Sequence, residues 1–177
     1  MFEPKEFLIV DGYNIIHAWP DLKKIADLSL EEARNSLLDR LSNFQGFKQF
    51  TVLVVFDGYL VKGSPGSSAK YNNIYVVYTK EAETADRYIE RIVHKLPKDI
   101  FIRVATSDAL EQIIVMGRGA VRMSALELRK EILETEKAIR ENYIENRPIK
   151  NNLLSDNLDK GTLEWLENMR RRRNFKE

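Results

Sequence analysis

The 177-residue sequence contains no cysteine, only two histidines, and no apolar stretch of the ~18 residues that a membrane-spanning helix needs. The missing cysteine excludes disulfides and thiolate metal sites and is typical of a reducing compartment. The N-terminal residues lack the regions of a signal peptide, so we expect a cytoplasmic protein. The net charge of +1 predicts no general affinity for nucleic acid, so any RNA-binding surface must be local.

Apolar and amphipathic segments alternate along the chain. Strands are predicted at 7–11, 50–56, 74–79, 100–106 and 120–123, and helices at 29–44, 84–96, 108–117 and 125–145. Loops are predicted around His17, Trp19 and Pro20 and in the Gly- and Ser-rich segment 58–73, the second of them mobile and functional. The alternation predicts an α/β fold whose central, mainly parallel sheet carries helices on both faces.

Several residue types mark the predicted helix ends. Ser29 with Glu32 and Ser124 with Glu127 are capping-box pairs, and Thr84 is a candidate N-cap. Gly46 is the predicted stop of the first long helix.

Acidic residues stand where the predicted strands end. Asp11 and Asp57 end the first two strands, Asp108 follows the fourth, and Glu83 and Asp86 precede or begin a helix. In a parallel sheet all of them face one edge, which is the edge where open α/β sheets bind ligands. Taken singly, each could be a turn residue, a helix cap or a solvated residue in a first helical turn.

Such a cluster of carboxylates predicts a bound cation. Two unit charges ~5 Å apart repel by about 3 kcal/mol at an effective dielectric constant of ~20. Mg²⁺ or Mn²⁺ would relieve that repulsion, whereas zinc lacks suitable ligands in this sequence. An acid-only site with Mg²⁺ suits the hydrolysis of phosphodiesters, because the metal orients and activates water.

The blocks LIVDGYNIIHAWP, VVFDG, ETADRYIE, VATSDALEQ and GAVRMSALEL occur in this order over roughly residues 5–145. They resemble the YacP-like NYN domains, a branch of the PIN-like nucleases. The resemblance implies a PIN-like three-layer α/β/α sandwich over residues 1–146. Residues 147–177 are predicted to be an extension whose short basic amphipathic helix docks on that domain.

The resemblance also implies an activity. Within the family, the sequence most resembles the ribosome-associated endoribonucleases of Gram-positive bacteria. We therefore expect a divalent-metal-dependent endoribonuclease that cleaves mRNA in the ribosomal A site and is monomeric. The implied metal-binding and catalytic acids are Asp11 and Asp86, with Asp108 completing the site, and Asn14 would orient a ligand or water. Asp57 is a further possible metal ligand whose role stays open.

Candidate RNA-binding residues surround the predicted edge; they are Lys62, Lys70, Tyr71, Arg122 and Ser107. Ser107 could equally cap a helix. Tyr13 and Trp19 could stack on unpaired bases or pack within the loops. The basic run 170–173 could contact ribosomal RNA or form a solvated helix end.

Two other functions are compatible with the same sequence. A non-catalytic RNA- or ribosome-binding module could retain the same fold. A small-molecule phosphohydrolase could use the same metal site, although the basic segment 58–73 and the lack of a second lid-like domain favour it less.

Overall fold

A computed structural model describes residues 6–58, 66–80, 82–108, 117 and 119–145. By its internal contacts the chain divides into two units, residues 1–140 and 141–177. The predicted helix 108–117 and the predicted C-terminal helix fall largely or wholly outside the described residues, and the predicted domain boundary after residue 146 stays a prediction. No described helix is long and apolar enough to cross a bilayer.

The described chain alternates between strands and helices. The strands are β1 (Glu6–Asp11), β2 (Thr51–Phe56), β3 (Ser67–Tyr71), β4 (Ile74–Tyr78), β5 (Phe101–Ala105) and β6 (Val121–Met123). The helices are α1 (Gly12–Ala18), α2 (Pro20–Ala26), α3 (Leu30–Lys48), α4 (Ala85–Lys95) and α5 (Ala125–Glu145). The five predicted strands and the predicted helices 84–96 and 125–145 agree with β1, β2, β4, β5, β6, α4 and α5 to within one residue at each end.

The six described strands form one sheet in the order β3-β4-β2-β1-β5-β6. Only β3 runs antiparallel to its neighbour, β4; every other pair is parallel. The predicted α/β fold with a mainly parallel sheet is therefore confirmed. Because β1 lies between β2 and β5, the chain leaves β1 toward one side and later returns to its other side. The carboxyl end of β1 is thus a topological switch point of the sheet.

Two hydrophobic cores cover the two faces of the sheet. On one face, Leu8 and Val10 of β1 pack in a core with α1, α2, α3 and the start of α5. On the other face, Ile9 packs in a core with Ile89 and Val93 of α4. The strict alternation of side chains along β1 is what separates these two cores.

The prediction of a loop around Trp19 is wrong, because α1 and α2 occupy that segment. Pro20 is the first residue of α2, a position where the missing N–H of proline has no cost. Trp19 is only 1% exposed, and its indole N–H donates to the carbonyl of Ala125 at 2.8 Å. A contact with a residue 106 positions away could not be read from the local sequence.

Two further predictions need correction. Helix α3 passes through Gly46 and ends at Lys48, and the left-handed backbone of Gln49 (φ 61°) forms its C-cap. Within the predicted loop 58–73, residues 67–71 form the edge strand β3, which turns at Asn72 (φ 50°) into β4. Four of the five residues of β3 are exposed, and the strand lacks the apolar alternation by which strands are recognised.

Gly58, directly after Asp57, is in close contact with the chain beyond β4. The Gly58 N–H donates to the hydroxyl of buried Thr79 at 2.9 Å, and the Thr79 N–H donates to the carbonyl of Phe56. A Cβ on Gly58 would stand 1.7 Å from the carbonyl oxygen of Thr79. No side chain fits there, so this glycine fixes the position at which the chain leaves β2.

We therefore expect Gly58→Ala to lower the free energy of unfolding by more than about 2 kcal/mol, measured by urea denaturation. The matched control is Gly46→Ala, which meets only Asn73 Nδ2 at 3.5 Å and lies within α3. Alanine should stabilise that helix by about 0.5–1 kcal/mol. Equal midpoints for Gly58→Ala and the wild-type chain would contradict the close contact.

Candidate functional site

Asp11 ends β1 at the switch point of the sheet. Its side chain is only 6% exposed, and its carboxylate Oδ1 accepts the backbone N–H of Asn14 at 3.2 Å. Asp11 is therefore also the N-cap of α1, as the turn-and-cap interpretation allowed. Alternation along β1 places its side chain on the face that carries α4, next in line after Ile9.

The pKa of Asp11 shows how unfavourable its charge is at this position. Burial, as the largest cause, and the negative charges of Asp86, Asp57 and Asp108 together raise the pKa from its ordinary value of 3.8 to about 7. The hydrogen bond from Asn14 acts against that rise. These four carboxylates form the acidic cluster, and they are close enough to act on one another.

The other three members of the acidic cluster come from three different parts of the chain. Asp57 follows β2 and is half-buried, whereas Asp86 and Asp108 are exposed. Asp86 lies in the first turn of α4, which Thr84 caps as predicted by accepting the backbone N–H of Arg87. Burial and then the charges of Asp108 and Asp57 raise the pKa of Asp86 as well.

Asn14 and Ser107 join the carboxyl ends of β1 and β5. Asn14 Oδ1 accepts the backbone N–H of Ser107 at 2.7 Å and also the Ser107 hydroxyl. The next residue, Asp108, donates its backbone N–H to the hydroxyl of buried Thr106 at 3.1 Å. The link holds the segment that carries Asp108 beside the segment that carries Asp11, and it uses the Ser107 hydroxyl as a donor to Asn14.

The donor set fits a hard divalent cation, because it consists of carboxylates whose mutual repulsion a cation would relieve. The side chains of the acidic cluster are not positioned to form a complete metal site. Across residues 6–58, 66–80, 82–108 and 119–145, no group of three or more acidic or histidine side chains is arranged to hold a metal ion. The acidic cluster therefore has the chemistry of a metal site, and its side chains stand apart.

The predicted RNA-binding residues fall in different places. Arg122, on β6 opposite Val104, is exposed near the carboxyl edge of the sheet. Tyr71 and Lys70 instead pair with the first residues of β4, so the structure does not bring them to the acidic cluster. Ser67 pairs with Tyr78, the last residue of β4, and so lies at the carboxyl edge. Four steps of ~3.3 Å along β3 separate Tyr71 from Ser67 by about 13 Å, which puts Tyr71 at the opposite edge of the sheet. Lys62 lies outside the described residues.

The aromatic residues expected at the edge are mostly part of the core. Trp19 and Tyr13 are buried, and Tyr13 packs against Phe56 with ring centroids 5.0 Å apart. A Cβ on Gly12 would stand 2.2 Å from the Phe56 ring, which explains the glycine of the DGYN segment by close packing. The Tyr13 hydroxyl accepts a hydrogen bond from Arg34, a residue that the sequence did not single out.

An acidic cluster at the switch point of a mostly parallel sheet is typical of α/β folds of the nuclease type. Residues 8–171 match the model of the YacP-like NYN domain, and the chain belongs to this family.

Two kinds of relatives agree with that assignment. The chain is 43% identical over 135 residues to YacP of Bacillus subtilis (strain 168), covering 76% of this chain and 79% of the relative. It is also similar to the crystal structure of Rae1 (YacP) from Bacillus subtilis, with a TM-score of 0.70 and 38% identity over 93% of this chain and 94% of that one. The crystal structure of a tryptophan-to-leucine mutant of Rae1 matches with a TM-score of 0.71 and 36% identity, over 86% and 89% of the two chains.

The raised pKa of Asp11 predicts a particular dependence of stability on pH in metal-free buffer. Between pH ~4 and ~7 the unfolded chain has lost the Asp11 proton and the folded chain has kept it, so stability falls as the pH rises. Asp11→Asn keeps a good N-cap but removes the charge. We expect this variant to exceed the wild-type free energy of unfolding at pH 8 by up to about 4 kcal/mol, and by much less near pH 4.

Urea denaturation in EDTA at both pH values measures this difference. Asp99→Asn, at an exposed acid before β5 and outside the acidic cluster, is the matched control and should leave the wild-type profile unchanged. Parallel pH profiles for Asp11→Asn and the wild-type chain would show that the charge of Asp11 is not destabilising.

Proposed function

We propose that this protein is a divalent-metal-dependent endoribonuclease of the cytoplasm that cleaves mRNA in association with the ribosome. The observation that carries the proposal is the acidic cluster, in which three further carboxylates act on the buried Asp11. Its place at the carboxyl edge of the sheet, where α/β folds bind ligands, supports a catalytic role for it.

Each residue of the site has a definite task in this proposal. Asp11, Asp86 and Asp108 would hold Mg²⁺ or Mn²⁺, with Asp57 as a further candidate. When bound, the cation would supply positive charge to the phosphodiester and activate water. Asn14 keeps the Asp11 and Asp108 segments together through Ser107. On binding, the exposed side chains of Asp86 and Asp108 would rotate toward Asp11 and complete the site.

The association with mRNA and the ribosome rests on the family resemblance and on the charge distribution. The net charge of +1 is too small to hold a polyanion by itself, so a large partner that positions the RNA is consistent with the sequence. Exposed Arg122, near the same edge as the acidic cluster, is a candidate contact for the RNA backbone.

One observation favours a second candidate function, a non-catalytic RNA- or ribosome-binding module on the same fold. Among the described residues, the acids do not stand in an arrangement that could hold a metal ion. A module that has kept the fold but does not assemble the metal site would look like this.

Binding of Mg²⁺ should be visible without any substrate. We expect Mg²⁺ to raise the thermal midpoint of the wild-type chain above its value in EDTA, and to do so more at pH 8 than at pH 5.5. At the lower pH Asp11 is protonated, and the proton competes with the metal. Asp11→Asn should largely lose the shift at pH 8, and a shift of the same size in that variant would remove Asp11 from the metal site.

Cleavage itself is tested with purified ribosomes that translate an mRNA in the presence of Mg²⁺. We expect Asp86→Asn to lower the cleavage rate by at least ~100-fold, because it removes a negative ligand without changing the size of the side chain. EDTA should abolish cleavage of free RNA, and added Mg²⁺ should restore it. Asp99→Asn again serves as the matched control and should cleave at the wild-type rate.

The two candidate functions separate in the same assay. If Asp86→Asn cleaves as fast as the wild-type chain, the metal-dependent mechanism is wrong. If the wild-type chain cleaves no RNA, free or translated, but co-sediments with ribosomes, the binding module is the correct function.

A further inference from the structure

The arginines of the described chain differ in how their charge is compensated. Four of them are half-buried: Arg34, Arg40, Arg103 and Arg129. Arg40 and Arg129 share the carboxylate of Asp21, at 2.6 and 3.2 Å. Arg103 makes two 3.0 Å bonds to Glu131 and a further ion pair with Glu6. These pairings are expected, since a guanidinium taken partly out of water is costly without a counter-charge.

Arg34 is the exception among the four. Its Nη1 donates to the neutral hydroxyl of Tyr13 at 2.9 Å, and its guanidinium carbon lies 6.0 Å from the centre of the Tyr78 ring. Glu31 is near enough to raise the pKa of Tyr78 but makes no ion pair with Arg34. Within the described part of the chain, no carboxylate lies within ion-pair distance of Arg34.

The contacts of Arg34 place it at the carboxyl edge of the sheet. Tyr13 follows β1 by two residues, and Tyr78 is the last residue of β4. Both aromatic rings pack against Phe56, the last residue of β2, with centroids 5.0 and 5.4 Å from its ring. Arg34 therefore lies level with the ends of three parallel strands. At this edge it lies on the face of the sheet that carries α3, whereas the acidic cluster lies on the face that carries α4.

From this position we propose that Arg34 binds a backbone phosphate of the RNA substrate, next to the phosphodiester held at the acidic cluster. The inference rests on the proposed function and adds a binding residue to it. A guanidinium has five N–H donors in a planar fork, and the Tyr13 hydroxyl takes one of them. The remaining donors match two oxygens of one phosphate, whereas a lysine would offer only a point charge.

The aromatic partners of Arg34 suit this role. Tyr13 orients the guanidinium, and the Tyr78 ring supports it from one side without neutralising its charge. A carboxylate partner would have to be displaced by an incoming phosphate. The neutral hydroxyl and the ring face need not be, so the full positive charge remains available to the RNA.

The test measures binding of a labelled, short single-stranded RNA by fluorescence anisotropy at several salt concentrations. All variants carry Asp86→Asn, so that the RNA stays intact. We expect Arg34→Gln to weaken binding by about 10-fold and to reduce the slope of log K against log salt by about 0.7, the loss of one phosphate contact on a single strand. Arg34→Lys should retain part of the affinity and the full slope.

Arg40→Gln is the matched control, because it removes the same charge from the same helix at a residue paired with Asp21. It should change the affinity by less than about 2-fold. Thermal unfolding of each variant reports its fold, and Arg34→Lys keeps the test decisive if Arg34→Gln is unstable. An unchanged affinity in Arg34→Gln, or a lower affinity with an unchanged salt slope, overturns the proposal.

The outcomes for Arg34 and for the proposed function are distinguishable. If Arg34→Gln binds RNA as its parent does while Asp86→Asn alone abolishes cleavage, the endoribonuclease stands and the role of Arg34 falls. If Arg34→Gln loses affinity and salt slope while the wild-type chain cleaves no RNA, the role of Arg34 stands and the nuclease falls. If the parent binds no RNA at all, the role of Arg34 falls, and cleavage of translated mRNA by the wild-type chain decides the proposed function separately.

Discussion

The burial of one carboxylate among three others is the constraint on which this structure depends. Asp11 is nearly inaccessible, and burial together with Asp86, Asp57 and Asp108 raises its pKa to about 7. The N-terminus of α1 and the N–H of Asn14 partly offset this cost. Since they do not restore an ordinary pKa, the folded chain keeps an electrostatic cost at this point, due first to burial and then to repulsion. A binding partner with positive charge would remove it, and such sites are often functional.

Much of the surrounding structure keeps the acidic cluster in place. The Asn14–Ser107 link joins the ends of β1 and β5, and the contact of Gly58 with Thr79 joins the exits of β2 and β4. These links are hydrogen bonds between segments far apart in the chain, so neither segment could move alone without losing them. The electrostatic cost at Asp11 is therefore offset by the two hydrophobic cores and by polar links at the edge itself.

The sequence predicted the five parallel strands and the acids at their ends, because apolar runs such as FLIV and VLVVF define a buried parallel strand by themselves. It failed where the deciding contact is distant or the pattern is weak. Trp19 reads as a loop residue until its partner, Ala125, is known. The strand β3 has no apolar pattern, and only its antiparallel register with β4 shows that Tyr71 lies away from the edge of the acidic cluster.

The same segment, DGYN, connects two unlike halves of the carboxyl edge. Asp11 faces α4 and joins the carboxylates, whereas Tyr13, two residues later, packs on the α3 face and holds Arg34. Negative charge thus collects on one side of the sheet edge, and a positive charge without a carboxylate partner among the described residues stands on the other. A phosphodiester chain that crosses the edge would need a cation on the acidic side and none on the side of Arg34. If the proposed function holds, this asymmetry would orient the strand, because only one of its phosphates could lie at the acidic cluster while a neighbour meets the guanidinium.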